Sequence, residues 1–258
     1  MHGFCPLASG SKGNVLFLGT HKAKILIDAG LSGKAIKEKL TKIDVLLDDI
    51  DAILISHEHH DHIVGLKTLA FRLGIPVLAN SLTAKAICDT FHDCPQFKIF
   101  TTGETFEFLD LEITPFSIKH DAVDPVGFAI HTMNRKIGIA TDLGIATHTV
   151  RHHIANSDIL YVEANHEPAL VHASSRPDTY KERVLSPTGH LSNSAAAELI
   201  SAAYHPLLSH VYLAHLSSEC NRPELAHSIV DTHLKEKTIE LPITIAHQEI
   251  VSRATIFE

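Results

Sequence analysis

The chain has 258 residues, of which 45% are hydrophobic and 20% charged, and this length is enough to bury a sizeable core. A formal net charge of −8 excludes a protein that coats nucleic acid through bulk positive charge. Mean hydropathy is +0.09 and no uncharged apolar run approaches a bilayer span of roughly 20 residues, so we predict no membrane-spanning segment and see no secretory signal. The unusual count is 21 histidines, which makes metal chemistry the first hypothesis to test.

In chain order, apolar runs bounded by turn residues predict strands at 14–19, 23–28, 51–55, 75–79, 98–100, 105–108, 111–118, 126–131, 136–140, 158–162, 209–214 and 243–246. Helical spacing or composition predicts helices at 33–42, 63–73, 145–154, 195–203 and 223–237. No linker-like or repetitive segment separates these elements, so we predict one domain over residues 1–258. The order favours a mixed sheet or paired sheets with helices packed outside.

The four cysteines are scattered along the chain at Cys5, Cys88, Cys94 and Cys220. The closest two have five residues between them, which is not the spacing of a zinc knuckle or a redox motif. We therefore predict four reduced thiols in a cytoplasmic protein.

The most informative segment is SHEHHDH at 56–62, which directly follows the apolar run 52–55. A loop at the end of a buried strand can direct several side chains toward one point, and this loop supplies several imidazoles and a carboxylate. The density of metal-binding side chains indicates a binuclear metal site, whereas a solvated polar loop would leave their position after a core strand unexplained.

This segment resembles the metallo-β-lactamase superfamily, whose H-x-H-x-D-H motif is matched in register by His57, His59, Asp61 and His62. The resemblance implies an α/β fold, a four-layer αββα sandwich with its metal site in loops at one edge of two sheets. It also implies three later ligands, for which His120, Asp142 and His215 are suited by their order and their positions next to apolar runs.

By the same resemblance, two divalent ions are expected with Asp142 bridging them. One ion is expected on His57, His59, His120 and Asp142, and the other on Asp61, His62, Asp142 and His215. The superfamily's lactamases often place a cysteine where this chain has Asp142. An all-imidazole and carboxylate donor set suits zinc, manganese or iron, and the sequence leaves that choice open. The positively charged centre favours an anionic substrate, with a metal-bridging hydroxide as the nucleophile.

His190 stands 25 residues before His215, next to the expected start of a helix. The phosphodiesterase branches of the superfamily resemble this arrangement, because they keep a non-ligand histidine upstream of the last ligand histidine. The resemblance implies that His190 donates a hydrogen bond or proton to the phosphate or the leaving oxygen, while Asp61 orients the nucleophile. The alternative is a capped helix start with an incidental histidine.

The chain further resembles the YycJ/WalJ-type subgroup of this superfamily. The resemblance rests on SGSKGN at 9–14, IDAG at 27–30, HDA at 120–122, ATDLG at 140–144, EANH at 163–166 and GHLSN at 189–193. It implies a metal-dependent exonuclease that degrades double-stranded DNA in the 5′ to 3′ direction. Substrate contacts are then expected from Ser11, Asn14, Asn165 and His166, whereas a tight turn and a capping turn are the structural alternatives for these segments.

Three other functions stay open at this point: a small-molecule phosphodiesterase acting on cyclic or other nucleotides, a thioester or lactam hydrolase, and a non-catalytic metal or nucleotide sensor. A nucleic-acid substrate requires local cations because the whole chain is acidic. Arg176, Lys181 and Arg183 are candidates for a phosphate-positioning patch, and a solvated helix face explains them equally well.

Overall fold

The computed structural model describes residues 1–257 and is built from strands and helices that alternate along the chain. The strands are β1 Gly3–Ala8, β2 Val15–Gly19, β3 Lys24–Ile27, β4 Ala52–Leu54, β5 Val77–Asn80, β6 Phe97–Phe100, β7 Phe106–Phe108, β8 Leu111–Ser117, β9 Val126–His131, β10 Lys136–Ala140, β11 Ile159–Glu163, β12 His210–Ala214, β13 Ile243–Ile245 and β14 Thr255–Ile256. The helices are α1 Gly33–Thr41, α2 His60–Ile63, α3 Leu66–Leu69, α4 Ser81–Phe91, α5 His148–Ile154, α6 Pro168–Ala173, α7 Asp178–Leu185, α8 Asn193–Ala203 and α9 Pro223–Glu236. Among the helices in residues 1–257, none has the length and apolar character needed to cross a bilayer.

The first of two compact units comprises residues 1–115, 122–126 and the segment from His247 onward. Its sheet has the strand order β14-β1-β2-β3-β4-β5-β6, in which β3 to β6 are parallel. The strands β1, β2, β4 and β5 are buried along their whole length, as expected for strands covered on both faces. Helices α1 and α3 pack their apolar residues, including Ile36 and Leu66, into the core of this unit.

The second unit comprises residues 116–121 and 127–246. Its strands follow the order β13-β12-β11-β10-β9, and β10 to β13 are parallel. Helices α5, α8 and α9 bury an apolar face against these strands, with Val150, Leu199 and Val230 fully enclosed. The side chain of Ser192 caps α8 by accepting a hydrogen bond from the backbone N–H of Ala195, which fixes where this helix begins.

Strands of both sheets are followed within two residues by a polar residue in the left-handed backbone region. Asp28 follows β3 with φ of 59°, Asp142 follows β10 with φ of 57°, and His215 follows β12 with φ of 51°. Such conformations are uncommon outside glycine and cluster at functional sites. In a parallel sheet the carboxyl ends of neighbouring strands lie at one edge, so each sheet gathers polar side chains at that edge.

Every strand predicted from the sequence is present, within a few residues at its ends, because strand periodicity and turn residues were both clear. Of the predicted helix at 63–73, Leu66–Leu69 forms α3 and Ile63 is the last residue of α2, with Gly65 between the two short helices. A Cβ at Gly65 would lie 2.7 Å from the carbonyl oxygen of Ala29, and the Gly65 N–H donates to that same carbonyl. This close backbone approach interrupts the helix, and periodicity alone does not reveal it.

Strands β1 and β14 and helices α4, α6 and α7 were not predicted. Strand β1 contains Gly3 and Pro6, residues that disfavour strands, yet it is held between β2 and β14. Tertiary pairing therefore overrides local propensity in this segment.

The prediction of four reduced thiols is wrong for one pair, because Cys88 and Cys94 form a disulfide. Helix α4 ends at Phe91 and His92 adopts a left-handed conformation with φ of 55°, which turns the chain back on itself. This turn brings the two Cα atoms to 4.8 Å, within disulfide range. Cys5 and Cys220 are free and buried.

We expect alkylation under three conditions to separate these thiols. Native unreduced protein should take up no iodoacetamide, because Cys5 and Cys220 are enclosed and burial raises the pKa of Cys5 to about 12. Unreduced protein in denaturant should take up two labels and reduced protein in denaturant four. Mass spectrometry counts the labels, and four labels without reductant would contradict the disulfide.

Candidate metal centre

The motif loop of the first unit starts where β4 ends and continues into α2. Its imidazoles are close together: the ring centroids of His57 and His59 are 4.6 Å apart, and those of His57 and His62 are 4.1 Å apart. His57 and His62 are buried, whereas Asp61 is half-buried on the first turn of α2. The four motif residues are thus held by one short loop anchored on a core strand.

Asp28 orients this loop from the end of the neighbouring strand β3. Its Oδ2 accepts a hydrogen bond from Nδ1 of His62 at 2.8 Å, and its Oδ1 accepts from the backbone N–H of Ser56, also at 2.8 Å. The hydroxyl of Ser56 lies 3.0 Å from Nδ1 of His57. When Nδ1 of a histidine donates to a carboxylate, Nε2 carries the lone pair, which is the arrangement found for metal-bound histidines. No role was predicted for Asp28 from the sequence, although its place directly after the apolar run that forms β3 was a usable signal.

Replacement of Asp28 by asparagine is expected to weaken divalent metal affinity by roughly 10- to 100-fold, the usual effect of losing such an orienting carboxylate. Asparagine tolerates the left-handed backbone, so the change removes charge without adding strain. Competition titration with a chromogenic chelator measures the affinity. Asp44→Asn is the matched control, because Asp44 is exposed and also has a positive φ, of 55°. Equal affinity for wild type and Asp28→Asn would contradict the assignment.

The second unit gathers the three remaining predicted ligands. Nε2 of His120 lies 3.9 Å from Oδ1 of Asp142, and Nδ1 of His215 lies 3.5 Å from the same oxygen. All three side chains are buried. Burial lowers the pKa of His120, against the opposing effect of Asp142, and so favours the neutral imidazole that binds metal. Asp142 and His215 lie together because β10, β11 and β12 are parallel neighbours.

Glu163, the last residue of β11, connects the histidines of this group and was not assigned a role from the sequence. Its Oε1 accepts hydrogen bonds from Nδ1 of His190 at 2.7 Å and Nδ1 of His215 at 2.9 Å. Its Oε2 accepts from the backbone N–H groups of Leu143 at 3.0 Å and Leu191 at 3.1 Å. Its position at the end of the apolar run 158–162 was the sequence signal that could have identified it.

The electrostatics of Glu163 follow from these contacts. Burial by itself would raise the pKa of Glu163, but the charge and hydrogen bonds of His190 and His215 hold that pKa well below its usual range. Glu163 is therefore an anion that keeps a hydrogen on Nδ1 of both imidazoles and so orients the two rings. The side chain of His190 is 18% exposed and that of His215 only 4%, so His190 is the more open of the two toward solvent.

The predicted substrate residues of the first unit differ in exposure. Ser11 is exposed, whereas Asn14 is buried. The Asn14 side-chain amide lies 3.2 Å from Oδ2 of Asp61 and 3.1 Å from Nε2 of His62. Asn14 is therefore placed beside two motif residues of the predicted metal site.

The predicted substrate residues of the second unit are both buried. The Asn165 amide donates to the backbone carbonyl of His215 at 2.7 Å. Burial lowers the pKa of His166 to about 4, and its enclosed Nδ1 has no hydrogen-bond partner within residues 1–257. A neutral buried imidazole with an unused ring nitrogen is suited to contact a ligand.

The suggested cationic patch is largely neutralised by the chain itself. Arg176 is paired with Glu219, and Nε of Arg183 donates to Oδ2 of Asp121 at 2.6 Å. Lys181 donates to the carbonyl oxygen of His172 at 3.1 Å. Each of these cations has a partner in the chain, which favours the solvated-face alternative.

The donor chemistry of both units fits divalent metal ions. Asp142, Glu163, His190 and His215 each offer a ligand atom within 4.8 Å of the others. The orienting contacts on Nδ1 of His62 and His215 leave Nε2 as the coordinating atom in each unit. Imidazole nitrogen and carboxylate oxygen are ligands accepted by zinc, manganese and iron.

A sequence profile described as the β-lactamase superfamily domain matches residues 23–215. The chain belongs to this superfamily. Exodeoxyribonuclease YycJ of Bacillus anthracis is 38% identical over 236 residues, which cover 91% of this chain and 89% of that protein. Exodeoxyribonuclease WalJ of Streptococcus pneumoniae is also 38% identical, over 89% of this chain and 87% of that protein. The predicted family resemblance is thereby confirmed.

Solved structures support the fold at much lower identity. The metallo-β-lactamase fold protein YhfI from Bacillus subtilis superposes with a TM-score of 0.74 at 18% identity, covering 96% of this chain and 97% of that one. The short form of human tRNase Z gives a TM-score of 0.65 at 18% identity, covering 98% and 99%. The predicted α/β class, the αββα metallo-β-lactamase sandwich with two mixed sheets flanked by helices, is confirmed.

Proposed function

We propose that this superfamily member is a metal-dependent exonuclease that degrades double-stranded DNA in the 5′ to 3′ direction. The observation that carries the proposal is the Glu163-centred group, in which His190 and His215 share one carboxylate beside Asp142. Such a group provides both a metal ligand and a nearby proton donor, the pair that phosphodiester cleavage needs. The relatives named exodeoxyribonuclease support nucleic acid as the substrate class.

We propose that the two sets of donors bind two divalent ions. The first ion is assigned to His57, His59, His120 and Asp142, and the second to Asp61, His62, Asp142 and His215. When bound, the ions supply Lewis-acid chemistry, which lowers the pKa of water and neutralises phosphate charge. Zinc, manganese and iron all suit these donors.

The residues of the chain then act around the scissile phosphate. His190, oriented through Nδ1 by Glu163, presents Nε2 toward substrate. In the doubly protonated ring Nδ1–H stays on the Glu163 carboxylate, and the Nε2 proton is transferred to the leaving oxygen, which leaves the neutral imidazole. Asp61 orients the attacking water as well as binding metal. Asn14 keeps the Asp61 carboxylate in place through its amide hydrogen bond.

The four predicted substrate contacts enter this proposal in two ways. The exposed hydroxyl of Ser11 and the buried Nδ1 of His166 have no hydrogen-bond partner within residues 1–257, so we assign both residues to substrate directly. Asn14 and Asn165 are bonded to or beside predicted ligands, so they support substrate binding by holding those ligands. An acidic protein with a positively charged metal centre can bind a polyanion locally, without a basic surface.

Incubation of purified protein with end-labelled double-stranded DNA, single-stranded DNA and RNA, under zinc, manganese or iron, tests the proposal. Early release of labelled mononucleotide from 5′-labelled duplex, with slow shortening of 3′-labelled duplex, is the expected result. Asp142→Ala is the matched control for contaminating nucleases. Hydrolysis of bis-(p-nitrophenyl) phosphate without DNA degradation would instead support a small-molecule phosphodiesterase, and inactivity on every substrate would support a sensor.

We also infer that the single domain predicted over residues 1–258 includes both compact units, because the superfamily profile spans parts of each. We propose a cytoplasmic location, where a DNA-degrading enzyme meets its substrate. A disulfide between Cys88 and Cys94 is more typical of oxidising compartments. Alkylation of protein taken directly from cells in denaturant therefore tests the location and the disulfide together.

A further inference from the structure

The glycine-rich turn at 10–13 presents two polar side chains that nothing else in the described structure binds. Ser11 and Lys12 are both exposed, and neither side chain makes a hydrogen bond or ion pair within residues 1–257. The backbone of the turn requires glycine at two positions. Gly10 and Gly13 have φ of 144° and 145°, a conformation that L side chains rarely adopt.

A half-buried residue from the far end of the chain braces this turn. The Gln248 side-chain carbonyl accepts from the backbone N–H of Lys12 at 2.8 Å, and its amide donates to the carbonyl oxygen of Gly13 at 2.9 Å. A Cβ at Gly10 would lie only 2.7 Å from Oε1 of Gln248, so the turn and the carboxamide fit closely. One side chain therefore satisfies a donor and an acceptor of the turn.

The other end of the turn is fixed to the metal motif. The backbone N–H of Asn14 donates to the carbonyl oxygen of Asp61 at 2.8 Å, and the Asn14 amide lies 3.1 Å from Nε2 of His62. The Asn14 carboxamide oxygen accepts from the backbone N–H of Gly10 at 2.9 Å, which closes the turn. Lys12 thus stands on a turn that is hydrogen-bonded to Gln248 and that is followed directly by Asn14, which contacts two predicted metal ligands, Asp61 and His62.

We propose that this turn binds a non-scissile phosphate of the DNA strand, through the Lys12 ammonium and the Ser11 hydroxyl, with Gln248 as the positioning residue. This inference rests on the proposed nuclease function. A strand whose scissile phosphate lies at the metal site carries another phosphate one nucleotide away. The chain is acidic overall, and Arg176, Lys181 and Arg183 each have a partner in the chain. The unpaired cation on the turn next to Asn14 is therefore where that phosphate can be neutralised.

The decisive test compares substrates with one and with several phosphates. We expect Lys12→Ala to raise KM for duplex DNA roughly tenfold with little change in kcat, and to reduce the salt dependence of binding by about one counterion. For bis-(p-nitrophenyl) phosphate, which has a single phosphate, the change should stay below about twofold. Gln248→Ala should reproduce the DNA-specific rise in KM. Lys12→Arg keeps the positive charge and should therefore have a KM for DNA close to that of wild type. A misfolded variant would lose both activities.

Lys22→Ala is the matched control, because Lys22 is exposed on another turn of the same unit and its loss changes the net charge equally. Duplexes with a 5′-phosphate or a 5′-hydroxyl, and duplexes with one neutral methylphosphonate next to the scissile position, identify which phosphate is bound. The modification that removes the charge of the bound phosphate should abolish the difference in KM for DNA between wild type and Lys12→Ala.

Equal effects of Lys12→Ala and Lys22→Ala on DNA would overturn the inference, and so would equal losses on DNA and on the small diester. Failure of the proposed function is distinguishable, because wild-type protein would then degrade no DNA under any metal. A larger rise in KM for DNA with Lys12→Ala than with Lys22→Ala, together with unchanged hydrolysis of the small diester, supports the phosphate-binding turn.

Discussion

Replacement of Asp142 by alanine is expected to remove both metal ions and abolish hydrolysis. Asp142 is the one residue assigned to both coordination sets, and its carboxylate lies within 3.5 Å of His215 and 3.9 Å of His120. Without it, the remaining donors are mostly neutral imidazoles, which hold two neighbouring dications poorly. His120→Ala and His215→Ala should each weaken mainly one ion. Elemental analysis of the purified variants counts the ions.

Backbone strain needs its own control in this experiment, because Asp142 has a φ of 57°. Alanine is disfavoured there, whereas asparagine adopts this conformation readily. Asp142→Asn should therefore keep the fold, as judged by circular dichroism, and still lose most metal. Two ions retained in a folded Asp142 variant would refute the bridging assignment.

His190→Ala is expected to keep both ions and to reduce phosphodiester turnover by roughly 10²-fold or more, the range for a positioned acid or base. Nδ1 of His190 is bound to Glu163 at 2.7 Å, and its side chain is the more open of the two histidines on that carboxylate. An imidazole in this position can reach substrate without being needed to hold an ion. Metal content and turnover are measured on the same preparation.

The opposite assignment gives a different result. If His190 were the ligand and His215 the proton donor, His190→Ala would lose an ion and His215→Ala would keep two. His172→Ala is the matched control, because His172 is exposed on α6 of the same unit. Loss of an ion from the His190 variant, with the control unchanged, would falsify the proposed roles.

The sequence predicted the donor set because metal ligands follow simple local rules. Four motif residues fall within six positions after an apolar run, so one loop must present them together. His215 also directly follows an apolar run, and Asp142 stands two residues after one. Since buried strands are recognisable by composition, the residues at their ends could be chosen before the sheet order was known.

The orienting residues also stand at strand ends, but their role could not be predicted from that position, because it depends on which strands are neighbours. Asp28 contacts His62 only because β3 and β4 are adjacent, and Glu163 reaches His215 because β11 lies beside β12. Glu163 and Asp28 look the same in sequence as any acidic residue after a strand. Only the contacts between neighbouring strands distinguish these two orienting carboxylates from the other acidic residues that follow strands.

The sequence by itself determined the superfamily, the αββα class and the chemistry of the donors, because these depend on residue type, spacing and hydrophobic periodicity. The tertiary structure alone decided the pairing of Cys88 with Cys94 and the brace from Gln248 onto a turn 235 residues earlier. Contacts between residues distant in sequence depend on how whole elements pack, and local patterns carry no information about that packing. For the same reason, the turn at 10–13 could be recognised as glycine-rich from the sequence, but only the folded chain places it against the metal motif.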